Sequence, residues 1–120
     1  MKTTTTSTVF FGFGIADNMF GDFQGNLTRR RLTVDEAKKI IEEGVTPCLN
    51  PSHKATIDVM GTRFGISVPI PNLAPVVRLK EGDSLLVLAV SGLPRLEGRH
   101  EYTDEEIASA VFSFSLWTVG

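Results

Sequence analysis

The chain has 120 residues, 42% of them hydrophobic and 22% charged, which describes one folded domain with its own core and excludes a disordered chain. Its net charge of -2 excludes the basic excess by which binders of long nucleic acid neutralise many phosphates. It leaves room for a small anionic ligand, which needs only one or two placed cations.

Residues 1–7 read as a tail: Lys2 leads into a polar run ending at Thr8. The apolar residues after it, Val9, Phe10 and Phe11, are broken by Gly12, Gly14 and Asp17, too early for a secretory signal. The longest apolar run, residues 85–90, is far short of a membrane span. Cys48 stands alone, so no internal disulfide forms and the usage agrees with the cytosol. One domain over residues 1–120 is expected, acting in the cytoplasm without a membrane partner.

Residues 8–14 predict a strand, residues 16–20 a helical turn, residues 21–25 a loop and residues 26–32 a short strand. Thr33-Val34-Asp35-Glu36 is a capping box, in which the Thr oxygen accepts from the N3 amide while Glu36 reaches back. Val34, Ala37, Ile40 and Ile41 form one apolar stripe, and Gly44 suits the stop. Residues 45–49 hold Pro47 and predict a short extended piece.

A second helix is expected after Asn50 as N-cap, with Pro51 at N1, where its missing N–H costs nothing. Ile57, Met60 and Phe64 share its apolar face, and Gly65 ends it. The prolines at 69, 71 and 75 predict a loop. Residues 76–80 and 83–90 predict two strands of a hairpin turning at Gly82, the second buried on both faces. Residues 91–102 read as a polar loop. Thr103-Asp104-Glu105-Glu106 is a second capping box opening a short helix, and the alternation of Phe112, Phe114 and Leu116 with Ser113, Ser115 and Trp117 marks a last strand. Strands mixed with three short helices predict an α+β layer fold: a single mixed β-sheet flanked by short helices.

His53 is the most informative candidate. With Asn50 as cap it falls at N3, where unpaired amides and the positive end of the helix dipole make an anion site bordered by Ser52, His53 and Thr56. That dipole disfavours imidazolium, so a neutral His53 can take a proton from a ribose hydroxyl, or alternatively deliver one to a leaving oxygen. The plain alternative is an exposed first-turn residue. A second candidate is the loop Leu93-Pro94-Arg95-Leu96-Glu97-Gly98, after the central strand. There Arg95 can clamp a phosphate and Glu97 can exchange a proton with His53; the alternative is a solvated loop with a casual charge pair.

Weaker signals point elsewhere. Arg29, Arg30 and Arg31 suit a charged edge strand. His100, between Arg99 and Glu101, reads as surface. Two His and one Cys without ligand spacing predict no metal site. Gly12-Phe13-Gly14 lacks the later Gly and the Lys of a phosphate loop. No nucleophile-elbow pattern is present.

The order of these motifs resembles the viral anti-CRISPR ring nucleases of type III systems, over nearly the whole chain. The matching stretches are Ala16-Asp17-Asn18-Met19-Phe20, Ser52-His53-Lys54-Ala55-Thr56 with Gly65 twelve residues after the histidine, Gly82-Asp83, Arg95-Leu96-Glu97-Gly98, Thr103-Asp104-Glu105-Glu106-Ile107 and the closing aromatic strand. The resemblance implies a small homodimer that holds cyclic tetra-adenylate across its interface and cleaves it with no metal or other cofactor, the ribose 2′-hydroxyl attacking the neighbouring phosphate. It implies His53 and Glu97 as catalytic residues, Arg95 on phosphate, and Asn18 and Thr56 in the site. The chain departs from the family pattern at several places. Phe13 and Ala16 stand where it carries Asn and Ser, Ser52 replaces a glycine, Asn72-Leu73 replaces Asn-Arg, and Ala89 replaces a glutamine. The arginine–glutamate loop is one residue shorter. These departures are compatible with a different or smaller cyclic nucleotide, with Phe13 stacking on a base in place of a polar contact. Two rival readings are a sponge that sequesters such a ligand uncut, and a viral transcription or structural factor on the same fold.

Overall fold

Where each apolar residue goes is set by one mixed sheet. In the computed structural model, which describes residues 8–49, 51–72, 76–94 and 102–120, β1 (Val9–Gly12), β2 (Leu27–Leu32), β3 (Thr46–Pro47), β4 (Ser84–Ser91) and β5 (Val111–Val119) lie in the order β2-β5-β4-β1-β3. β1 runs parallel to both β3 and β4, whereas β5 is antiparallel to β4 and β2. The helices are α1 (Val34–Glu43), α2 (Lys54–Phe64) and α3 (Asp104–Ser109), with single 3-10 turns at Asp17–Met19 and Pro51–His53. The fold is α+β, as expected.

Side chains alternate across a strand, so the register assigns faces. Phe11 pairs with Leu86, which pairs with Leu116, while Leu88, Phe114 and Leu32 follow in line. This face packs on Ala37 of α1, on Ile57 and Met60 of α2, and on Ile66 and Val68 beyond it. The opposite face presents Phe10, Leu85 and Val119, covered by Ile15, Met19, Phe20 and Phe23 and by Val77 and Leu79. Leu85, Leu86 and Leu88 are fully buried, which is why β4 reads as an unbroken apolar run: it is the middle strand, covered on both sides.

Both capping boxes form. Thr33 Oγ1 accepts from Glu36 N at 3.1 Å and Glu36 returns the bond to Thr33 N at 2.9 Å. Thr103 and Glu106 do the same at 3.2 and 2.8 Å. The Thr33 amide, and more weakly Arg30, hold the Glu36 carboxyl below its usual range. Arg29, Arg30 and Arg31 lie on edge strand β2: Arg30 pairs with Glu36 at 3.0 Å, and Arg29 lies over the Trp117 ring at 5.7 Å.

The expected hairpin does not form. The turn itself is present, with Asp83 N donating to Lys80 O at 2.8 Å and Gly82 at φ 92. Both edges of β4, however, are already taken by β1 and β5. Residues 76–80 therefore stay outside the sheet while burying Val77 and Leu79. Their polar groups pair with the 3-10 turn after β1: Leu79 N donates to Met19 O at 2.6 Å, and Arg78 Nη1 to Asn18 O at 2.5 Å.

Candidate functional site

Three segments converge at the carboxyl ends of the parallel strands β1 and β4. Phe13 is the first residue beyond β1. His53 closes the 3-10 turn and caps α2 with φ -88 and ψ -4, and Thr56 lies three residues on, on the same helical side. The carboxyl end of β4 supplies Leu88, Ala89 and Val90. With Leu93 and Tyr102 these residues line an open cleft of 580 Å3. Outside the carboxyl ends of strands is where open sheets place ligands.

The helical run opens at Pro51, as expected, but its first turn is 3-10, so His53 is the N-cap of the α-helix rather than its third residue. The expected cap, Asn50, lies outside the described residues. Phe13 stacks on His53, with ring centroids 4.7 Å apart and planes inclined by 28°. Burial pushes the His53 imidazole below its ordinary pKa of 6.5. The helix dipole led to an expectation of the same direction; the cause here is desolvation.

Of the residues singled out in the sequence, Phe13, His53 and Thr56 share this cleft. Ser52 is exposed beside His53. Asn18 is exposed on the 3-10 turn over the other face of the sheet, and Asn72 is exposed after Pro71; neither lines the cleft. Arg95, Glu97 and His100 lie outside the described residues. The chain on either side of them is at the cleft, since both Leu93 and Tyr102 line it. Tyr102 was missed by sequence reasoning. Its available signal was to be the chain's only tyrosine, set in a polar loop directly before a capping box.

A larger cleft, of 710 Å3, runs along α2 past Lys54, Asp58 and Thr62 to Ile66 and Ile70. At its rim Lys54 and Asp58 form an exposed ion pair at 2.6 Å. It has no imidazole among its lining residues, so the smaller cleft is the chemical candidate. Among the described residues no group of three or more His, Cys, Asp or Glu is placed to hold a metal ion. No described helix is long and apolar enough to cross a membrane.

No protein-family model matches the chain, and no curated protein matches it. Among solved structures it is similar to B116 of Sulfolobus turreted icosahedral virus, with a TM-score of 0.68 and 22% sequence identity, covering 93% of this chain and 99% of that one. The likeness shows a shared fold from end to end.

Proposed function

We propose that this chain is a viral anti-defence protein that captures a cyclic oligonucleotide signal and opens it by metal-independent 2′-hydroxyl attack. The observation that carries the reading is the half-buried His53, stacked on Phe13 and lining a cleft at the strand ends with Thr56. A full-length fold shared with a virus protein is consistent with it. In this reading neutral His53 takes the 2′-hydroxyl proton. The 2′-oxygen bonds to the adjacent phosphorus, the bond from phosphorus to the 5′-oxygen breaks, and that oxygen takes up a proton with Glu97 assisting. Arg95 holds the phosphate. Phe13, Ser52 and Thr56 contact the ligand, whereas Asn18 and Asn72, expected to do so, lie away from this cleft. Two copies related by a two-fold axis would enclose a symmetric ring, whether cyclic tetra-adenylate or a smaller cyclic nucleotide. The protein would act in the cytoplasm of the infected cell.

The second reading is a sponge that binds the same ligand class without cutting it. It is favoured by the composition of the cleft: Phe13, Leu88, Ala89, Val90 and Leu93 are apolar, and His53, Thr56 and Tyr102 are the polar side chains among the lining residues. Product analysis after mixing the protein with cyclic di-, tri- and tetranucleotides in EDTA separates the two. We expect one ligand to be cut by the wild type and left whole, though still bound, by His53→Ala. Ligands that stay intact at stoichiometric protein defeat the enzyme reading, and tight binding unchanged in His53→Ala selects the sponge.

A further inference from the structure

We propose that Phe13 is a positioning residue for His53: its ring, stacked on the imidazole, fixes the plane in which both imidazole nitrogens point. The inference rests on the reading of His53 as the reacting group. The lone pair and the N–H of an imidazole lie in the ring plane, so the tilt of that plane sets the direction of proton transfer. Stacking at 4.7 Å and 28° opposes a change of that tilt, because tilting the ring costs the stacking contact.

Both partners of the stack are held by one junction. Cys48 N donates to Phe11 O at 2.7 Å, joining the end of β1 to the chain five residues before His53. Gly12 is buried there, and a Cβ at its position would lie 3.6 Å from Cys48 Cβ. Leu49, next along, is fully buried. Phe13 itself packs against the main core. The aromatic platform is thus tied through backbone to the segment that leads toward the helix, an arrangement that helps hold a reacting group in place.

The test is proton NMR of the imidazole. The chain has two histidines, so in a His100→Gln background the remaining ring signals belong to His53. Protons over the face of a benzene ring shift upfield. The wild-type His53 ring protons should lie upfield of their ordinary position, return to it in Phe13→Leu, and stay upfield in Phe13→Tyr. Ordinary shifts in the wild type, or shifts unchanged by Phe13→Leu, would overturn the inference; the wild-type spectrum alone decides if the leucine variant does not fold. On a ligand that is cut, Phe13→Leu should lower kcat by about 10- to 100-fold, the scale of a misplaced reacting group, while Kd moves by far less and Phe13→Tyr restores the rate. Loss of binding with kcat intact would instead make Phe13 a ligand contact only. The spectroscopic result holds even where no cyclic nucleotide is cut, so failure of the enzyme reading and failure of this inference are separable.

Discussion

His53 is useful because of where its proton equilibrium sits. Burial lowers its pKa from 6.5, so the ring is neutral near pH 7 and able to accept a proton. The sign follows directly: a base loses activity only as pH falls through its own lowered pKa. Cleavage should therefore be level near pH 8 and decline on the acid side; a half-maximal rate above pH 6.5 contradicts the assignment. Tyr102 offers a second test. If its ring meets a base of the ligand, Tyr102→Ala should weaken binding by about 1 kcal/mol or more, measured by calorimetry, and Tyr102→Phe should retain most of it. His53 and Thr56 were legible in the sequence because their spacing of three and the preceding proline are local signals. Phe13 was legible only as an aromatic side chain out of place. Its contact with His53 joins residues forty apart in the chain and has no local signature. Tyr102 offered only its rarity as a signal, since its place in the cleft has no local signature either.

Elements are held by a few polar anchors whose loss should be measurable. Asp83 is 4% exposed. Its carboxylate accepts from Thr8 N and from Lys80 N, both at 3.0 Å, and its backbone carbonyl accepts from Val119 N at 3.0 Å. One residue thereby ties the start of β4 to β1, to β5 and to the turn. Asp83→Ala strands two amides and should cost about 2 kcal/mol in urea denaturation; a loss below about 0.5 kcal/mol would remove it as an anchor. Arg63 closes α3, its Nη1 donating to Ile107 O at 2.9 Å and Ala110 O at 2.7 Å, with its guanidinium 5.1 Å from the Phe64 ring centroid. Arg63→Ala should lower Tm, and Arg63→Lys should restore only part of it, because an ammonium cannot keep the planar fork. The capping boxes were readable in advance because Thr and Glu three residues apart carry their partners with them. The hairpin was misread because a turn signal speaks for the chain between two segments, not for which edges of β4 remain open.

At the scale of the molecule, the α+β class followed from strands alternating with capped helices. The strand order did not follow, since β1 and β4 pair across more than seventy residues and periodicity says nothing about neighbours. That pairing is what brings Phe13, from early in the chain, to the cleft at the carboxyl end of β4. A net charge of -2 predicts no appreciable affinity for long duplex DNA at physiological salt, checked by a mobility shift. A cyclic ligand should raise Tm by mass action, and the gain should fade with time as the ligand is consumed; a gain that persists indefinitely belongs to a sponge.

The most direct measurement is mass spectrometry of the nucleotide after incubation with the wild type in EDTA and oxygen-18 water. Attack by the ribose 2′-hydroxyl rearranges bonds without adding water, so the account predicts linear products that end in a 2′,3′-cyclic phosphate, carry no heavy oxygen and together match the mass of the ring. A product that has gained water at the cut, or a ring left whole by an excess of protein, would contradict it.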